Sequence, residues 1–86
     1  MTESTPARPV RVTLLTRTSC HLCGLAREAV SKACARTGAG WREVDVDADP
    51  ELRAEYGDRV PVVLLDGAEF AALQVDRDQL ARALSD

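Results

Sequence analysis

Val10-Arg11-Val12-Thr13-Leu14-Leu15 is rich in β-formers and runs almost directly into a helical pattern. Leu22, Leu25, Ala26, Ala29, Val30 and Ala33 recur at the three- and four-residue spacing of one helix face. The helix predicted from them starts at Ser19 or Cys20, runs to about Arg36, and is stopped by Gly38 and Gly40. Residues 41–46, beginning at Trp41, then alternate as a strand does. Two successive strands joined by a helix pair in parallel, and the crossover between them is right-handed. This one unit restricts the chain to α/β architectures.

The remainder fits onto it. Asp49 before Pro50 is a cap followed by a first-turn proline, predicting a short helix from Pro50 to Tyr56 that ends at Gly57. Pro61-Val62-Val63-Leu64-Leu65 is an uninterrupted apolar run, the pattern of a strand buried on both sides. Asp66-Gly67 is a two-residue hairpin turn. A strand over 69–73, extending up to Val75, follows. Asp76 with Gln79 forms a capping box for a last helix to about Leu84. The predicted order is β-α-β-α-β-β-α: one α/β domain over residues 10–86 with a four-stranded mixed sheet flanked by helices. Residues 1–9 hold two prolines and no periodicity, and read as a disordered leader.

At 86 residues and a net charge of −3, the chain is not suited to nucleic acid or an anionic membrane surface as its main partner. No apolar stretch approaches the roughly 20 residues of a membrane span, and the first residues lack the apolar core of a signal peptide. A cytoplasmic location is therefore expected. There a C-x-x-C is catalytic or metal-binding rather than a structural staple.

Cys20-His21-Leu22-Cys23 sits where the first strand gives way to the first helix. Thiols at i and i+3 of a helix start are near enough to close a disulfide ring. The free N–H groups and positive dipole end there favour the thiolate, the reactive form of cysteine. A zinc site needs four ligands, and only His21 and Cys34 remain as nitrogen or sulfur donors. Cys34 lies eleven residues beyond Cys23, about 16 Å along a helix, and is expected to be packed. Copper(I) chaperones also place C-x-x-C at a first strand–helix junction, but with the order β-α-β-β-α-β. His21 reads either as an exposed polar residue or, when protonated, as support for a thiolate. Trp41 is expected to pack on the sheet, Arg59 to be a solvated loop residue, and Asp45 and Asp47 to share a strand face. No Ser-His-Asp set or phosphate-binding glycine loop is present.

The element order, the C-x-x-C at the first junction, Val60-Pro61 opening the third strand and the Asp66-Gly67 hairpin together resemble the thioredoxin superfamily. Within it, the chain is most similar to the short bacterial glutaredoxin-like proteins. The resemblance covers about residues 10–85 and implies a thioredoxin-like fold and thiol–disulfide oxidoreductase activity. It makes Cys20 the attacking cysteine and Cys23 the resolving one. It makes Pro61 a cis-proline beside the thiols, with the Val60 backbone free to pair with substrate. Arg17 falls where glutaredoxins carry a basic residue toward the glutathione carboxylate, and the resemblance counts Asp76, with His21, Val60 and Pro61, among the substrate- and thiol-binding residues.

Three departures bear on glutathione recognition. His21-Leu22 replaces the usual proline and aromatic residue, Ala71-Ala72 replaces a glycine pair, and Asp76 is displaced by one position. The resemblance further implies a monomer with no bound cofactor or metal. A low-molecular-weight thiol, glutathione or an equivalent, would be co-substrate, protein disulfides or mixed disulfides the partners, and a thiol or reductase the source of recycling electrons. The alternative is a metal-binding module using the C-x-x-C, either a copper(I) chaperone or a dimer bridged by an iron–sulfur cluster.

Overall fold

A computed structural model describes residues 9–85. Apart from Pro9, whose carbonyl accepts the Gly40 N–H at 3.1 Å, the predicted leader lies outside the described residues. The sheet has the order β2-β1-β3-β4. Strand β1 (Val10–Thr16) lies parallel to β2 (Gly40–Asp45) and antiparallel to β3 (Val62–Leu65). β3 pairs antiparallel with β4 (Ala68–Ala72). Helix α1 (His21–Thr37) joins β1 to β2, α2 (Pro50–Tyr56) joins β2 to β3, and α3 (Arg77–Ser85) closes the chain. The four-stranded mixed sheet and the predicted element order are both present. None of the described helices is long and apolar enough to cross a membrane.

The central strand is buried on both faces because its side chains alternate. Val12 and Leu14 join Val63 under α1 and α3, where Ala26, Val30, Ala33, Leu80 and Leu84 complete a core. Leu15 points the other way and meets Val46 and Val62 beneath Leu52 and Tyr56 of α2. Each fully buried Leu or Val contributes about 1.5–3 kcal/mol. Trp41 packs half-buried against the first core, as expected.

Local chemistry sets the ends of the elements. Gly38, at φ 79°, turns the chain out of α1 and donates its N–H to Cys34 O at 2.8 Å. Asp49 Oδ1 accepts the N–H of Glu51 at 2.9 Å and caps α2. Asp76 Oδ1 accepts the Gln79 N–H at 2.9 Å and does the same for α3. Asp66 and Gly67 have φ of 51° and 88°, the left-handed pair that a two-residue hairpin needs.

Several expectations shift. β2 stops at Asp45 rather than Val46. The Asp45 carboxylate accepts the Asp47 N–H at 2.9 Å, which winds Val46–Ala48 into a short 3₁₀ turn and drops Val46 into the core. Asp45 and Asp47 therefore do not share a strand face. β3 begins at Val62 instead of Pro61, and β4 covers Ala68–Ala72. The extension to Val75 is absent because Leu73 takes φ 71° and leaves the sheet. Arg59 lies in the solvated loop before β3, as expected, but it is not unpaired there. It pairs with Glu69 at 2.6 Å and lies 5.4 Å from the Tyr56 ring centre.

Candidate active site at the first strand–helix junction

β1 ends on Thr16, and three residues carry the chain to Cys20, the N-cap of α1. Ser19, immediately before it, has φ 64°, a left-handed conformation uncommon outside glycine, asparagine and aspartate. Cys20 and Cys23 are joined as a disulfide with their Cα atoms 5.4 Å apart. The two sulfurs are not equivalent. Cys20 is half-buried, whereas Cys23 is only 2% exposed. No side chain caps the first turn of α1 and no acidic residue lies in it, whereas α2 and α3 carry Glu51 and Asp78 there. The positive end of α1 is left facing the sulfurs.

A cleft of about 690 Å³ opens beside the disulfide, lined by Arg17, Ser19, Cys20, His21, Cys23, Gly24 and Arg27. Arg17 is fixed by Asp47 at 3.1 Å and makes a long 3.4 Å contact to Gly57 O. Arg27 grips Glu43 with Nε and Nη2, both at 2.7 Å, and Glu43 also accepts the buried Thr16 hydroxyl at 3.0 Å. The Arg27 guanidinium, helped by Thr16, holds the Glu43 carboxyl below the usual carboxylate range although partial burial opposes this.

Arg17 and His21 thus line the same cleft as the cysteines. Asp76 does not line that cleft. It lines a separate depression of about 480 Å³ with Leu22, Leu25, Ala26, Gln74, Val75 and Gln79. The Val60–Pro61 bond is cis, and Pro61 is buried with its carbonyl accepting the Leu73 N–H at 2.7 Å. Among the described residues the Val60 N–H and C=O make no backbone hydrogen bond. Ala71 and Ala72 sit half-buried in β4, opposite Val63 and Val62. Ser19, Arg27 and Glu43 were not anticipated. Arg27 is four residues beyond Cys23, hence on the same helix flank, and that spacing was a usable signal.

Cys34 is 2% exposed inside the core, and burial pushes its thiol pKa up. Among the described residues, no three His, Cys, Asp or Glu side chains come together as a metal site.

Residues 11–85 match the family described as glutaredoxin-like domain (DUF836). An uncharacterized protein of Mycobacterium tuberculosis is 42% identical over 79 residues, 86% of this chain and 80% of its own length. The X-ray structure of protein XcR50 from X. campestris is 34% identical with a TM-score of 0.70, over 85% of this chain and 93% of that one. A mutant thioredoxin from Halobacterium salinarum, 24% identical, covers 96% of this chain and 93% of its own with a TM-score of 0.58, and shows that the fold is thioredoxin-like.

Proposed function

Since this chain belongs to the glutaredoxin-like domain family, we propose that it is a thiol–disulfide oxidoreductase in which Cys20 attacks and Cys23 resolves. The observation that carries this reading is the linked Cys20–Cys23 pair, one sulfur half-buried at a helix N-terminus and the other enclosed. Cys20, as thiolate, attacks one sulfur of a substrate disulfide, forming a mixed disulfide and releasing the first substrate thiolate. Cys23 then gives up its proton and attacks the Cys20 sulfur, releasing the second thiolate and closing the internal disulfide. Two electrons have passed to the substrate. Two equivalents of an external thiol return them, leaving as its disulfide.

Protein disulfides or mixed disulfides are the substrates on this reading, and a low-molecular-weight thiol or a reductase restores the dithiol. The free backbone groups of Val60 are available to pair with a bound chain. The cytoplasm, where thiols are kept reduced, is the compartment in which such a pair cycles.

Equilibration in thiol/disulfide buffers, followed by alkylation and mass spectrometry, tests the proposal. A reversible loss of two hydrogen atoms located between Cys20 and Cys23, their electrons passing to the buffer disulfide, is the expected result. Failure to form that bond at any poise would overturn it.

A further inference from the structure

Val60 keeps its backbone open, and that backbone therefore does nothing to hold the residue in place. The ladder sets Leu15 opposite Val62, so Val60 and Pro61 lie beside the end of β1 from which the chain departs toward Cys20. Arg17, which lines the disulfide cleft, reaches Gly57 O in the same segment at 3.4 Å. Gly57 and Arg59 donate their N–H groups to Arg53 O and Tyr56 O, but among the described residues Val60 makes no backbone hydrogen bond. Polar groups kept open for a ligand cannot also fix the segment that carries them. Its rigidity has to come from the neighbours of Val60.

Arg59 supplies it on one side. Nη1 binds Glu69 Oε2 of β4 at 2.6 Å, Nη2 binds the Glu55 carbonyl of α2 at 3.3 Å, and the guanidinium lies 5.4 Å from the Tyr56 ring centre. Glu69 stands opposite Leu64 in the β3–β4 ladder, and Leu64, Tyr56 and Val60 pack against the same small core beneath α2. On the other side, Pro61 O accepts the Leu73 N–H at 2.7 Å. Val60 is thus bracketed by two anchored residues while its own groups stay unused.

We propose that Arg59, anchored by Glu69, is a positioning residue that holds the Val60 backbone ready to pair with a bound chain. The proposal rests on the oxidoreductase reading, in which a substrate chain docks there. Both partners are about two-fifths exposed, with side chains 42% and 38% accessible, and an ion pair so exposed adds little to overall stability. Its effect falls on binding, because a segment ordered beforehand loses less freedom when a ligand arrives. That effect is confined to substrates that present a backbone.

The test uses the reduced protein and two uncharged disulfides. The homodimer of N-acetyl-Ala-Cys-Ala-amide presents a backbone, and bis(2-hydroxyethyl) disulfide has none. Each second-order rate constant is divided by that of dithiothreitol with the same disulfide, and the readout is the peptide-to-small ratio. Arg59→Gln should lower this ratio about threefold to tenfold, the scale of one hydrogen bond, while the rate with the small disulfide stays near the wild-type value. Glu69→Gln should lower the ratio in the same direction, and the double variant should fall no further than Arg59→Gln alone. Arg59→Lys keeps the charge beside Glu69 but not the planar fork, and should restore part of the ratio. Arg82→Gln removes the same charge from the exposed face of α3 and should keep the wild-type ratio. Equal ratios in wild type, Arg59→Gln and Glu69→Gln, or an equal fall in Arg82→Gln, would overturn the assignment of Arg59. A wild-type ratio of one would overturn docking at Val60 and the positioning role with it. No reaction of the wild type with either disulfide would instead sink the oxidoreductase reading.

Discussion

Arg27 and Glu43 close on each other through two parallel contacts of 2.7 Å, Nε to Oε1 and Nη2 to Oε2. Because Glu43 also accepts the Thr16 hydroxyl, one carboxylate ties together α1, β1 and β2 around the disulfide. A fork-on-fork pair of this kind is among the stronger charge-assisted contacts in proteins.

That bond has a pH signature. Glu43, Asp66 and Asp78 are each held below the usual carboxylate range, in each case first by a hydrogen bond from an arginine: Arg27, Arg11 and Arg36. A depressed folded-state pKa stabilises the fold above the unfolded-state value, about 4, and that contribution is lost as pH falls through the folded value. The melting temperature should be flat from neutral pH to about pH 4 and fall below it. Arg27→Gln should make the acid fall shallower by removing the share of Glu43. Calorimetry across pH checks both, and a wild-type melting temperature unchanged in acid would show that these pairs add nothing.

The two cysteines should separate cleanly by substitution. Cys20→Ser removes the accessible sulfur and should leave no detectable disulfide reduction. Cys23→Ser keeps it but removes the internal attack, so mixed disulfides with small thiols should accumulate and be weighable. Equal trapping in the two variants would reverse or abolish the assignment of roles.

Much of this arrangement is legible in the sequence, because its signals are local. The helical spacing of Leu22 to Ala33, the Asp49-Pro50 start and the Asp66-Gly67 turn each depend on neighbours a few residues away. What escaped depends on distance. The Arg27–Glu43 grip joins residues 16 positions apart, and the Arg17–Asp47 grip residues 30 apart. Neither has a periodicity to betray it. Val46 alternates correctly for a strand, yet Asp45 bends the backbone there by accepting a single N–H. Asp76 illustrates the opposite case, since its capping role is readable from its neighbours while its distance from the disulfide cleft is not.

Gly57 and Gly67 should respond to alanine for different reasons. At Gly57, φ is −55° and ordinary, but an added Cβ would stand 2.5 Å from the carbonyl oxygen of Arg53. The backbone must shift, and Gly57→Ala should cost about 1–3 kcal/mol. At Gly67 there is open space and only the left-handed φ of 88° resists, so Gly67→Ala should cost about 1 kcal/mol. Urea midpoints compare the two, and a Gly57→Ala as stable as wild type would mean the Arg53 turn relaxes freely.

Leu73 holds a left-handed φ of 71° while its N–H bonds Pro61 O at 2.7 Å. A β-branched residue resists that conformation more strongly than leucine, and asparagine accepts it. Leu73→Val should lower stability by about 1 kcal/mol and Leu73→Asn should not, with side-chain burial a minor factor because Leu73 is 49% exposed. Identical unfolding midpoints for the two variants would show that the turn tolerates either conformation.

The enclosure of Cys34 has a consequence for how the protein meets oxidants. A chain with an odd number of thiols would ordinarily be liable to couple to a second copy or to be capped by stray small thiols once its pair has closed. Here the leftover sulfur lies between helix and sheet, 2% exposed and disfavoured as a thiolate. The closed form therefore offers no free thiol at its surface. Oxidation ends at a defined stoichiometry of one bond per molecule, and the spare thiol serves as an internal tag by which labelling after unfolding can count closed and open molecules.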